Sequence, residues 1–345
     1  MIDMIARVMI QLPTALWMRE DSCLASFDEN YSTRHVRIHP LKQSAFVLSP
    51  DTNGRVEAHH IAATLRPMDD VKRYEFVRMD GQFVCHADLL QIDFFGDGFE
   101  RRSGTADDPN PTEVERVTRD VVRRLRYTLG APWFREFPLH KVFWVIRYLA
   151  DDESELPETA GFVRIRGHAP FEFIFTGFDE HSWHAAQRLG TDFTPLLWES
   201  LHLDARFLLP EVGPAIVLAY SAIEAASEQL VRQNALSSQV AQRLLKKRVP
   251  DRLDIVASQL IGTTLKADPI LWQAFDELRR ARNSFAHAGR AMLNGTIVDE
   301  HMASALVDRS EPVLRWIESH LPAGLQTSKD PYVPVWEYRA PLTAG

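Results

Sequence analysis

Asp276-Glu277-Leu278-Arg279-Arg280-Ala281-Arg282-Asn283-Ser284-Phe285-Ala286-His287-Ala288-Gly289 reads as the end of an amphipathic helix. It carries an Arg-Asn pair, then a histidine, then a glycine suited to stopping the helix. An arginine of fixed charge and a histidine that titrates near neutrality are the two groups a metal-free phosphodiester cleavage requires. Spacing alone decides little. Arg34/His39, Arg55/His60, Arg135/His140 and Arg315/His320 repeat it in a chain with 13 histidines.

Working outward, Asp268 is a good N-cap and Pro269 suits the first helical position. From there the apolar stripe runs Leu271, Phe275, Leu278, Arg282, Phe285. Arg282 therefore interrupts a face that should be buried, where an unpaired guanidinium is costly. Three readings follow: a buried ion pair, an oligomer interface, or a cleft in which a phosphate supplies the anion. A helix opened by Pro214 offers a partner, because Glu224 lies one turn beyond Tyr220 at the edge of the stripe Ile216, Tyr220, Ile223, Ser227, Leu230. A structural Glu224–Arg282 pair is the plainer explanation, and His287 fits a helix C-terminus through the dipole alone.

Further helices are expected at 180–189, 196–209, 237–248, 251–261 and 299–320, the last kinked at Pro312. Residues 1–190 read differently. Val8–Leu12, His35–Ile38 and Ala45–Leu48 are short β-rich runs, and Asn53-Gly54 marks a turn. Tyr74–Met79 and Gln82–Cys85 flank Asp80-Gly81 as a hairpin. Phe162–Arg166 and Phe171–Phe175 form a second hairpin, and Leu139–Tyr148 is a strand. One helix interrupts them, starting at Thr112 as N-cap with Glu115 in the capping-box place and ending at Gly130. The expected class is α+β: a β-rich N-terminal domain over 1–190, an all-α bundle over 191–322, and an extended tail over 323–345. The tail's Tyr332, Trp336 and Tyr338 suggest that it packs on the body.

Composition supports an ordinary globular protein. The 345 residues are 45% apolar and 25% charged, enough for a sizeable core. Cys23 and Cys85 are too few for a disulfide framework or a four-ligand zinc site. The N-terminus lacks a signal-peptide pattern and no apolar run reaches membrane-spanning length, so a soluble, cytoplasmic protein is expected. His59-His60, His35 with His39, and Cys85-His86 form no complete metal site, and no cofactor is expected. Gly96-Asp97-Gly98 is not a phosphate-binding loop, and no serine nucleophile elbow is present.

A net charge of −8 argues against a general nucleic-acid coat. The excess lies mostly in the N-terminal part, since residues 195–330 hold 15 Lys plus Arg against 16 Asp plus Glu. Two basic groups stand out there. Arg279, Arg280 and Arg290 flank the opening stretch, and Arg243, Lys246, Lys247, Arg248 and Arg252 form the second. Such runs are usually solvated faces. Their presence in the domain that carries the arginine and histidine raises the nucleic-acid reading.

Arg282-Asn283-Ser284-Phe285-Ala286-His287, with the helix Ala219–Ala225, resembles the HEPN domain family over residues 194–322. Asn283 fits the polar place of its signature and Gly289 the small residue after the histidine. The layout of the whole chain is similar to ApeA-like antiphage proteins. The resemblance implies a metal-independent endoribonuclease in which the RNA 2′-hydroxyl attacks the adjacent phosphorus. His287 would be the general acid or base, Arg282 would stabilise the transition-state charge, and Asn283 would orient the histidine or the phosphate. It also implies a homodimer through the helical domain, with RNA as partner and no membrane. A phage or cellular trigger protein would act at the N-terminal domain, in a toxin-like role in abortive infection. The other function class is a non-catalytic module that binds RNA, a nucleotide or a protein.

Overall fold

The computed structural model describes residues 4–19, 24–31, 34–42, 77–79, 82–96, 109–139, 142, 144–150, 174–326 and 337–339. Its long first strand, β1 (Met4–Arg19), is the spine of a mixed, mostly antiparallel sheet. β2 (Phe27–Tyr31) and β3 (Arg34–Ile38) form a hairpin, and β4 (Val77–Met79) pairs antiparallel with β5 (Gln82–Gly96), Met79 opposite Gln82. β1 pairs with β5 along both of its halves. Its other edge meets β6 (Trp144–Ala150) and then, in parallel, β7 (Ile174–Phe178). Pairing with β5 breaks between Gln11 and Leu16, where Pro13 has no N–H to donate.

Strand alternation sends Ala6, Val8, Ile10, Ile92, Phe94, Val36 and Ile38 to one face, fully buried. Against that core lies α1 (Pro111–Leu129) through Val114, Val117, Val121 and Leu125. Each such side chain contributes about 1.5–3 kcal/mol by leaving water. The N-cap of α1 is Asn110 rather than the expected Thr112. Asn110 accepts the Glu113 N–H at 2.9 Å with Pro111 behind it, so the capping residue lies two positions earlier than the Thr-Glu pattern implied. Arg124 of α1 is buried among partners: Glu29 at 2.7 and 2.8 Å, Asp120 at 3.0 Å, and the Tyr31 hydroxyl at 2.7 Å. The strand expected over 139–148 is observed as β6, a few residues later. Of the second expected hairpin, only the end is described, as β7; Ala45–Leu48 and Asn53-Gly54 lie outside the described residues. A short helix, α2 (Glu180–Arg188), closes this part behind a capping box made by Asp179 and Ser182.

The chain divides into two compact units, Met1–Phe193 with Pro331–Gly345, and Thr194–Asp330. The helical unit comprises α3 (Leu197–Phe207), α4 (Val212–Asn234), α5 (Ser238–Leu245) and a helical run, α6, built from Val249–Asp251, a π-helical turn Arg252–Val256 and Ala257–Ile261. α7 (Pro269–Ala288), a hairpin of β8 (Met292–Leu293) and β9 (Thr296–Ile297), and α8 (Glu300–Glu318) complete it. α4 is the central helix. Its Ala215, Ala219, Ala222 and Ala226 are buried and small, which allows α3, α7 and α8 to pack closely around it. α8 runs unbroken past Pro312.

The end of the chain departs from the expected tail. Ala323–Leu325 is a 3-10 turn that stays with the helical unit, and β10 (Glu337–Arg339) pairs antiparallel with β7 as a strand of the sheet. Proline-rich composition hid a strand only three residues long. Among the described residues, no helix is long and apolar enough to cross a membrane.

Candidate nucleic-acid site on the helical unit

α7 begins as the sequence expects. The Asp268 carboxylate accepts the N–H groups of Ile270 and Leu271 at 3.0 and 3.1 Å, with Pro269 in the first turn. It ends at Gly289 in the left-handed region, φ 67°, whose N–H returns to the Phe285 carbonyl. Phe275, Leu278 and Ala281 are fully buried, and Leu271 and Phe285 pack at the margin of the same core. Arg282 sits beside Ala281, half-buried, so the buried line passes through the alanine and the arginine lies along its edge.

The Arg282 guanidinium stacks over the Tyr220 ring at 5.1 Å from its centroid, and its Nη1 donates to the Asn283 side-chain oxygen at 3.2 Å. Tyr220 in turn stacks on Phe275. Among the described residues, Arg282 forms no ion pair with any carboxylate, Glu224 included. Both instead flank Tyr220. Burial pushes the Tyr220 hydroxyl above the usual phenol range, Glu224 pushes it further, and Arg282, Arg279 and Arg252 oppose them.

His287 is exposed in the last turn of α7 and makes no side-chain hydrogen bond among the described residues. Five positions separate it from Arg282, which turns it about 140° around the helix, whereas Asn283 lies one turn away on the same side. The structure thus brings Arg282, Asn283, Tyr220 and Glu224 together and leaves His287 to one side of them.

The flanking cations divide into two groups. Arg279 is tied to Asp276 at 2.6 Å, and Arg280 to Asp276 at 3.0 Å and to Asn294 at 2.8 Å. Arg290 is exposed, its carbonyl accepting the Ser284 hydroxyl. Lys246, Lys247 and Arg248 are exposed where α5 gives way to α6, and with Arg243 they form no ion pair among the described residues. Arg252, expected among them, faces inward and donates to the carbonyls of Lys247 and Leu245 and to the Ser227 hydroxyl. It fixes the basic turn against α4.

Three contributors were not singled out from sequence. Tyr220 belonged to a helical stripe and read as core, although an aromatic facing a stripe arginine signals a stacking pair. Gly213, at the start of α4, lies against the Phe285 ring, where any Cβ would collide with it. The Asn294-Gly295 turn, with φ of 51° and 82°, was a legible hairpin signal and supplies the anchor for Arg280.

Comparisons with known protein families, with curated proteins and with solved structures returned no match.

Proposed function

We propose that the helical unit is a metal-independent endoribonuclease of HEPN type, with Arg282, His287 and Asn283 as its catalytic set. The observation that carries this reading is Arg282: half-buried, held over the Tyr220 ring, and without a carboxylate partner among the described residues. Such a cation has its position fixed and its counter-charge unsupplied, which suits it to a phosphate. Asn283 bonds to that guanidinium and occupies the same side of α7 as His287, so it can link the two.

In the proposed reaction His287 takes the 2′-hydroxyl proton as the oxygen attacks phosphorus, and Arg282 neutralises the pentavalent transition state. The 5′-oxygen leaves with the proton that His287 gives back, leaving a 2′,3′-cyclic phosphate and a 5′-hydroxyl end. The unpaired Lys246, Lys247 and Arg248 would hold the RNA backbone together with Arg290. Because Arg282 and His287 diverge around α7, a site that combines them from two protomers suits the geometry better than one chain alone. Exposed Leu236 and Ile270, at 97% and 79%, give the unit apolar surface for a second copy. We further propose a cytoplasmic, toxin-like role in antiphage abortive infection, with the sheet unit receiving the trigger.

The isolated position of His287 favours one alternative, a module that binds RNA, a nucleotide or a protein through Arg282 without cutting. Mapping RNA ends after expression separates the two. Cyclic-phosphate ends made by the wild-type protein, and lost in both Arg282→Ala and His287→Ala, support catalysis. Intact RNA with retained binding shows the module.

A further inference from the structure

The β2–β3 hairpin brings a second chemistry together on the sheet unit. In its register Phe27 faces Ile38, so Ser26 and His39 are the next cross-strand neighbours beyond the paired ends. Both lie on the face opposite α1. The Ser26 hydroxyl meets His39 Nδ1 at 2.9 Å, and His39 Nε2 meets Asp93 Oδ2 of β5 at 2.8 Å. Asp93 is itself gripped by Arg7 of β1, its direct cross-strand partner, through two bonds of 2.8 Å. Exposure falls along this line, from Ser26 at the surface to His39 at 17% and Asp93 at 2%.

We propose that Ser26, His39 and Asp93 form a nucleophilic serine site that takes acyl groups from carboxylic esters or thioesters. Ser26 and His39 are its catalytic residues, and Asp93 and Arg7 are positioning residues. Burial alone would raise the Asp93 carboxyl, but the bonds from Arg7 and His39 outweigh it and hold the group below its ordinary range. An ionised Asp93 accepts the Nε2 proton of His39, which leaves the Nδ1 lone pair directed at the Ser26 hydroxyl. The ring is used in the opposite sense from the familiar serine-protease arrangement, with the same consequence for proton transfer. Arg7 already occupies both carboxylate oxygens, so Asp93 needs no histidine for its own neutralisation. Among the described residues, the other side-chain hydrogen-bonding partner of His39 is a surface serine.

The step balances without any further reagent. Ser26 Oγ bonds to the carbonyl carbon while its proton passes to His39. The alcohol or thiol then departs with that proton, and water attacks the acyl-serine with His39 again as base. The acid is released and the serine restored. Asp28, His35 and Arg37 surround the hairpin on this face, and the Arg37 guanidinium is tied to Asp28 at 2.8 Å, so the site carries little net charge to repel a substrate.

A fluorophosphonate probe tests this on the full chain. Displacement of its fluoride by Ser26 leaves a stable adduct in the tryptic peptide 20–34, and fragmentation must place it on Ser26 rather than Ser22 or Ser32. The labelling rate should fall about 100-fold in His39→Gln, and no adduct should form at that position in Ser26→Ala. Both variants are checked for a wild-type thermal melt. No adduct on Ser26 of the wild-type protein overturns the proposal, whatever the variants do. So does a folded His39→Gln protein that labels at the wild-type rate.

Discussion

Two side chains at the motif depend on a neighbour's shape. Gly213 leaves room for the Phe285 ring, so Gly213→Ala should destabilise the helical unit by about 1–3 kcal/mol, as overpacked sites do. Combining it with Phe285→Leu should recover part of that loss in a urea titration; an additive penalty would show that the collision is not the cause. Tyr220 holds Arg282 through its ring face, a contribution of about 0.5–2 kcal/mol. Tyr220→Phe should therefore retain RNA cleavage or binding near the wild-type level, while Tyr220→Leu should weaken it several-fold, which gel-shift and end-mapping assays can compare. At this scale the sequence was a partial guide. It placed an arginine on a helical stripe, but one position decides whether such a residue is inside the core or beside it. Ala281, small and adjacent, took the interior place. Ser26, His39 and Asp93 were beyond reach, because their proximity depends on the register of three strands and 54 residues separate His39 from Asp93.

Among the elements, caps were the most readable feature, since each is written in a few adjacent residues. Asp268 and Gly289 bound α7 as expected, and Asp268→Ala should cost about 1 kcal/mol by stripping two N–H groups of their acceptor. Equilibrium unfolding of the helical unit reads that directly; no change would mean that the first turn is held by packing alone. The π-helical turn in α6 has no comparable local signature, although its first residue, Arg252, reaches back to Ser227 of α4. The joint of α3 and α8 makes a pH-dependent prediction. His202 is buried with Nε2 against the Val307 carbonyl, and burial lowers its proton affinity below the ordinary value of about 6.5. Nearby Glu311 and Asp308 favour the proton while Arg206 opposes it, and burial prevails. As pH falls below about 6.5 the unfolded chain gains this proton before the folded one does, so the unit should lose stability there and keep it above. Urea midpoints between pH 7.5 and 5.5 should fall in the wild type and fall less in His202→Gln.

For the whole molecule, the division into sheet and helical units could be anticipated from the change in hydrophobic period, whereas the return of the chain to the sheet could not. Removing residues 331–345 takes β10 from the edge of β7 and should destabilise the sheet unit by about 1–3 kcal/mol, the value of a few strand hydrogen bonds. Hydrogen exchange should quicken in β7 and leave α4 and α7 unchanged; faster exchange in α4 would show that the loss is not confined to the sheet unit. Stronger acid should also act on the sheet unit. Asp93 and Glu136 are both held low by arginine neighbours despite their burial, so the stability they confer is present at neutral pH and disappears below about 4. Asp120, raised by burial, takes its proton earlier than in the unfolded chain and partly offsets that loss.

The pairing of β7 with β10 also sets an order of events during synthesis. β7 leaves the ribosome before any of the helical unit, and its antiparallel partner emerges after all of it. At about 5–20 residues per second the wait is on the order of ten seconds, ample for helices to form and pack. A nascent chain would therefore carry a finished helical bundle while one border of its sheet is still unpaired, the kind of edge to which a chaperone or another unfinished chain binds.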